Sequence, residues 1–201
     1  DAVRLRESSW LAKRVLDIAG SLVGLVALAA VTPFIAVAIR ADSRGPVFYR
    51  QRRVGRGGIP FTLTKFRTMT PDAERPGEAR WADRDDPRAT RVGRMLRRMR
   101  LDELPQFVSI LRGDMSLVGP RPERREFVGR LQEAIPFYRA RLMVPPGLTG
   151  WAQVNLPYGD SVDAAKLKLE FDLYYVKHRS LMFDLGILVR TVGTVLGLRG
   201  H

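Results

Sequence analysis

From Ile18 to Ile39 the chain runs for 22 residues without a charged side chain. As a straight helix this run would be about 33 Å long, comparable with the hydrocarbon core of a bilayer. It marks membrane contact, and its flanks and interior argue against a plain span. Arg4, Arg6, Lys13 and Arg14 precede it, and Arg40, Arg44, Arg50, Arg52 and Arg53 follow it. The positive-inside preference therefore draws both ends toward the cytoplasm. Pro33 sits within the run and frees a carbonyl near Ala29, while Thr32 beside it can re-satisfy the backbone. A helix broken at Thr32-Pro33, entering and leaving by one leaflet, satisfies both flanks and is favoured over a kinked spanning helix or a buried core helix. Residues 1–40 are thus read as membrane-associated and residues 41–201 as the cytoplasmic part of one domain.

The remaining composition narrows the chemistry. With 201 residues, of which 45 % are apolar, the chain can bury one core. It has no cysteine, which excludes disulfides, thiolate catalysis and cysteine zinc sites. Its only histidines are His178 and His201, too few for a histidine metal site. Any metal should be a hard cation held by carboxylates. The net charge is +13, and only five of the 34 basic residues are lysine. Arginine forks match phosphate oxygens, so phosphate-rich partners are expected; the competing reading is arginine standing in for surface lysine. The chain starts at Asp1, carries no signal-peptide pattern, and is expected to be the C-terminal part of a longer protein.

The soluble part reads as α+β and predominantly helical. Val47-Phe48-Tyr49 and Phe61 to Phe66 are β-prone runs around Gly55, Gly57 and Gly58, a small β-hairpin. Residues 70–88, rich in Pro, Gly, Asp and Arg, read as a loop able to close over a substrate. A helix is expected from Thr90 to about Arg100, and a second, with Asp102 at its N-cap and Pro105 in its first turn, closing at Gly113. Val144 to Asn155 reads as a rigid loop followed by a short β-like run, with Trp151 more often core than a stacking platform. Phe127, Val128, Leu131 and Ile135 recur at helical spacing among arginines, and 181–198 is apolar; both are candidates for interfacial amphipathic helices, with core-facing helices as the plainer reading. Around 164–176, Leu167, Phe171 and Tyr174 should face the core, leaving Lys168 and Asp172 outside as a surface ion pair.

Asp102 alone would pass for a helix cap. Beside Glu103, however, it follows Arg91, Arg94, Arg97 and Arg98 and precedes a helix N-terminus, so both carboxylates should stay ionised. Such a pair suits Mg²⁺, and aspartate can act as a covalent nucleophile toward phosphorus. Arg121, in the tight loop of Gly113 to Pro122, can hold diphosphate oxygens, and Asp172 could add a third acidic group.

In this order, Lys13-Arg14 with Asp17, the Pro33 break, Gly45 to Tyr49, Lys65 to Met69, Leu101 to Gln106, Gly113 to Pro122, Pro146 to Asn155 and Asp172 to Val176 make the chain resemble the monotopic phosphoglycosyl transferases, the bacterial sugar transferase family. The likeness covers nearly the whole chain. It implies a re-entrant membrane helix, a catalytic Asp102-Glu103 pair that also binds Mg²⁺, and substrate-binding roles for Lys65, Arg67, Arg97, Arg121 and Asp172. It further implies transfer of a sugar-1-phosphate from a UDP-sugar to polyprenyl phosphate at the cytoplasmic face of the inner membrane. Membrane lipids are then partners, nucleic acid is not, and a homodimer is admissible. Thr32-Pro33 stands where the family commonly has Ser-Pro; threonine can make the same backbone bond. The stretch Tyr158 to Ser161 looks like the larger, exopolysaccharide-linked members. From the charge alone, a nucleic-acid-binding module competes with this reading, and the apolar run alone would fit a lipid-binding scaffold.

Overall fold

The computed structural model describes residues 7–73, 86–157, 159 and 161–196, and the side chains of 7–9 and 195–196 are outside that description. Expectations that fall on Arg4, Arg6, the centre of the 70–88 loop, Tyr158, Asp160, Leu198 and His201 lie outside the described residues.

Helix α1 (Glu7–Asp42) takes in the whole uncharged run. The break expected at Thr32-Pro33 is corrected: the helix continues through both residues. Thr32 Oγ1 donates to the Leu28 carbonyl at 2.6 Å, a back-bond that a helix tolerates while accommodating a proline. Two glycines let α1 approach its neighbours closely. A Cβ on Gly20 would lie 2.6 Å from Leu117 Cδ1, and one on Gly24 would lie 2.5 Å from the Phe107 ring. Asp17 is buried and accepts from Ser116 Oγ at 3.0 Å and from the Leu117 amide at 2.9 Å. Arg14 donates to the carbonyls of Ile110 and Leu111. Further along, Ile35 and Ile39 pack with Val47, Phe66 and Leu96. The opposite face carries exposed Val23, Val26, Phe34 and Val37, and α1 is long and apolar enough to cross a membrane.

The expected hairpin is present. Strands β1 (Phe48–Val54) and β2 (Pro60–Phe66) pair antiparallel from Phe48↔Phe66 to Val54↔Pro60. The turn between them needs glycine, since Gly57 and Gly58 have φ of 66° and 85°. Helix α2 (Arg91–Arg98) begins at Thr90, whose Oγ1 accepts from the Gly93 amide. The chain then turns at Arg100, in the left-handed region (φ 57°), into a 3₁₀ helix, Leu101–Gln106, which runs into α3 (Phe107–Arg112) and stops at Gly113 with φ 95°. The expected N-cap role of Asp102 is therefore corrected: it lies inside the 3₁₀ turn, and the cap position belongs to Arg100.

A second sheet, absent from the sequence reading, pairs β3 (Ser116–Val118) with β4 (Gly147–Thr149) in parallel. A parallel pair requires a crossover, and α4 (Arg125–Ala134) with the 3₁₀ helix Tyr138–Met143 supplies it. The apolar stripe of α4 is buried against Val54, Tyr138 and Leu169, as the core-facing reading expects. The β-like run expected at 151–155 is instead the short helix α5 (Trp151–Asn155). Trp151 packs in an aromatic group with Phe171, Tyr174 and Phe183, under Arg190. Helix α6 (Val162–His178) is turned relative to expectation: Leu169, Asp172, Tyr175 and Val176 are buried, while Leu167 and Tyr174 are exposed. Helix α7 (Leu181–Leu196) buries Asp184 and Ile187 and exposes Met182, Val189 and Val192. Lys13 and the Tyr175 hydroxyl both reach the Asp184 carboxylate, tying α1, α6 and α7 together.

Candidate active site

The 3₁₀ turn puts adjacent residues about 120° apart, yet Asp102 and Glu103 are both buried, at 6 and 7 % exposure. Two buried carboxylates require compensating charge. Lys65, on β2, supplies it to both: its Nζ donates to Glu103 Oε1 at 2.7 Å and lies 3.8 Å from Asp102 Oδ2. Arg121 donates to the same Glu103 Oε1 at 2.8 Å. From α2, the charge of Arg97 acts on Asp102 as well. The structure thus brings Lys65 and Arg121 into contact with the acidic pair, and Arg97 bears on it through its charge.

The two carboxylates are driven apart. Burial is the largest influence on each. At Asp102 it prevails, aided by the neighbouring Glu103 charge, and pushes the carboxyl above its ordinary value against the pull of Lys65. At Glu103 burial is outweighed by Arg121, Lys65 and Arg100, which hold the carboxyl far below the usual carboxylate range. Both carboxyls are desolvated, and what separates them is that Arg121 and Lys65 both donate to Glu103 while Asp102 has Lys65 at 3.8 Å.

Two predicted substrate contacts lie elsewhere. Arg67 is buried, and its guanidinium donates to the carbonyls of Arg44 and Ser43 at 2.6 and 2.8 Å, fastening the end of α1 to β2. Asp172 is 3 % exposed and paired with Arg141, whose Nη2 and Nε lie 2.7 and 2.9 Å from its Oδ2. The surface location expected for Asp172 is corrected by its burial; Lys168 donates to the Gly159 carbonyl, and its charge also acts on Asp172. Arg141 escaped the sequence reading. Its one signal was the spacing from Tyr138, three residues that bring the Tyr138 hydroxyl within 3.0 Å of Nη1. Gln106, directly after the acidic motif, is buried with its amide nitrogen unpartnered, an arrangement that costs on the order of 1–3 kcal/mol.

Among the described residues no group of three Asp, Glu, His or Cys side chains is placed to hold a metal ion. Two adjacent carboxylates nevertheless fit Mg²⁺, which is commonly bound by one or two carboxylates with substrate phosphates and water completing its shell.

The buried acidic pair thus meets a lysine and an arginine, and α1 is apolar and long enough to cross a membrane. The family model described as bacterial sugar transferase matches residues 8–198, and the chain belongs to that family. It is 44 % identical over 184 residues to the UDP-N-acetylgalactosamine-undecaprenyl-phosphate N-acetylgalactosaminephosphotransferase of Aeromonas hydrophila, covering 92 % of this chain and 43 % of that protein. It is 43 % identical to the undecaprenyl-phosphate glucose phosphotransferase of Komagataeibacter xylinus, covering 94 % of this chain and 36 % of that protein. It is also 43 % identical to the UDP-glucose:undecaprenyl-phosphate glucose-1-phosphate transferase of Caulobacter vibrioides, covering 92 % and 70 %. The chain therefore spans less than half the length of the first two relatives.

Proposed function

We propose that this chain transfers a sugar-1-phosphate from a UDP-sugar to polyprenyl phosphate, releasing UMP, as the membrane step that begins polysaccharide or glycoconjugate assembly. The observation that carries this reading is the split acidic pair: a desolvated Asp102 beside a Glu103 that gathers Lys65 and Arg121. The relatives' names supply the substrate classes.

In the proposed two-step reaction, an oxygen of ionised Asp102 attacks the phosphorus that bears the sugar. A new P–O bond forms, the bridging P–O bond of the diphosphate breaks, and UMP leaves with that bond's electron pair. A phosphate oxygen of the lipid then attacks the same phosphorus and displaces the Asp102 carboxylate, which is regenerated. Burial makes Asp102 less solvated and hence a stronger nucleophile once ionised, while Lys65 lies close enough to favour that ionised form. Lys65 and Arg121 are placed to offset charge on the donor diphosphate. Mg²⁺, held by Asp102 and Glu103, would supply further neutralisation of diphosphate charge. Glu103 is a poor proton acceptor with its carboxyl held so low, which favours its part as metal ligand and organiser of the two cations. The lipid acceptor arrives at a site beside α1, whose basic flanks, Lys13 and Arg14 before the apolar run and Arg40 and Arg44 after it, favour a helix bent at Pro33 with both ends on the cytoplasmic face.

A screen of UDP-glucose, UDP-galactose and their N-acetylated forms with polyprenyl phosphate, with and without Mg²⁺, tests this function. UMP release from at least one donor, dependent on Mg²⁺, is expected; no release from any would reject it.

A further inference from the structure

We infer that Arg141 is a positioning residue for the proposed transfer: it holds the main chain of Arg121 so that the Arg121 guanidinium meets Glu103, and Asp172 acts through Arg141 and not on substrate. This rests on the transferase reading above.

Arg121 lies in an irregular segment between β3 and α4, so its orientation has to be imposed from outside. The neighbouring backbone is held at four points. The Gly119 amide donates to the Thr149 carbonyl, the Pro120 carbonyl accepts from the Gly147 amide, the Pro122 carbonyl accepts from Arg53 Nη1, and the Glu123 carbonyl accepts from the Val54 amide. The Arg121 carbonyl itself accepts from Arg141 Nη2 at 3.0 Å.

Arg141 can do this because its own fork is fixed. Nε and Nη2 both meet Asp172 Oδ2, and Nη1 donates to the Tyr138 hydroxyl. A planar guanidinium satisfies these directions at once, which an ammonium cannot. The result is a connected path from Asp172 through Arg141 and Arg121 to Glu103 Oε1, joining α6, the 3₁₀ helix Tyr138–Met143 and the acidic turn. Asp172 and Arg141 are out of reach of an entering donor: they are 3 and 5 % exposed. The cavity beside them, lined also by Tyr138 and Lys168, is about 20 Å³. That is room for about one water molecule and none for a diphosphate.

Double-mutant kinetics test the path. Arg141→Lys and Asp172→Asn should each lower kcat for UMP release by about 10- to 100-fold, the usual cost of removing a partner that orients a working side chain. Tyr138→Phe, which keeps the fold's apolar packing, should act in the same direction and more weakly. In an Arg121→Gln background the same changes should cost less than about twofold, because the residue they orient is already gone. An equal loss in both backgrounds would overturn the proposal, since general destabilisation, or direct substrate contact by Asp172, predicts that result. The Arg121 Nη2–H signal in NMR, from the nitrogen that donates to Glu103 Oε1, provides an arm independent of turnover. It should be exchange-protected in the parent chain and lose protection in Arg141→Lys; unchanged protection would also overturn the proposal. If the parent chain releases no UMP from any donor, the transferase reading fails, and this NMR arm still decides whether Arg141 orients Arg121.

Discussion

Asp102 is placed where burial opposes its charge, and Glu103 where two cations support it, so the neighbours should respond oppositely to removal of charge. Asp102 has a folded-state value above its ordinary 3.8. Such a group contributes most to stability below its unfolded value and loses that contribution as pH rises through the folded one. Asp102→Asn should therefore raise the melting temperature at pH 7 in metal-free buffer by about 2–4 °C per kcal/mol relieved. The gap between variant and parent should narrow on acidification. Glu103 has its folded value lowered from 4.5, so its contribution is complete above that pH and is lost as pH falls through the folded value. Glu103→Gln should destabilise the fold at pH 7, on the order of 1–3 kcal/mol in urea melts, and the deficit should shrink in acid. A variant pair shifting in the same direction would contradict the split. In the sequence, Asp102 and Glu103 look alike; what separates them is contact with Lys65 and Arg121, which come from 37 residues before Asp102 and 18 after Glu103.

The acidic turn depends on how α2 lies against the end of β2. At Gly93 an added Cβ would collide with the backbone carbonyl of Thr68, which cannot swing aside. Gly93→Ala should therefore push α2 off β2 and cost about 1–3 kcal/mol, read as a lower urea midpoint together with reduced turnover, since α2 carries Arg97. Features set by local chemistry were legible in advance: the hairpin from its glycines, the start of α2 from Thr90, and the end of α3 from Gly113. Those set by distant partners were not. The inward face of α6 follows from Asp172 meeting Arg141, 31 residues away, and outweighs the apolar pattern of Leu167 and Tyr174. The parallel β3–β4 pair joins two three-residue segments too short to carry a period. Likewise, the sequence motifs flagged Lys65 and Arg121, which the fold brings to the acidic pair, whereas the bonds of Arg67 to the end of α1 and the buried partners of Arg141 gave no sequence signal.

Across the molecule, α1 sets both the membrane relation and the position of the site, since Ile35 and Ile39 pack with Leu96 while Leu101 and Leu104 lie against the same cluster. The absence of cysteine allows its path to be read with single labels. Leu11→Cys and Arg50→Cys should both react with a membrane-impermeant maleimide in inside-out vesicles and neither in right-side-out ones; one label on each side would mean that α1 spans the bilayer. In the proposed reaction Asp102 meets a water-borne donor and a lipid acceptor in succession. Intact mass after mixing the chain with a UDP-sugar that supports turnover, in the absence of polyprenyl phosphate, tests this most directly. One sugar-phosphate added per chain, matched by one UMP, is expected, and neither in Asp102→Asn. UMP release that requires the lipid, with no mass added to the chain, would contradict it.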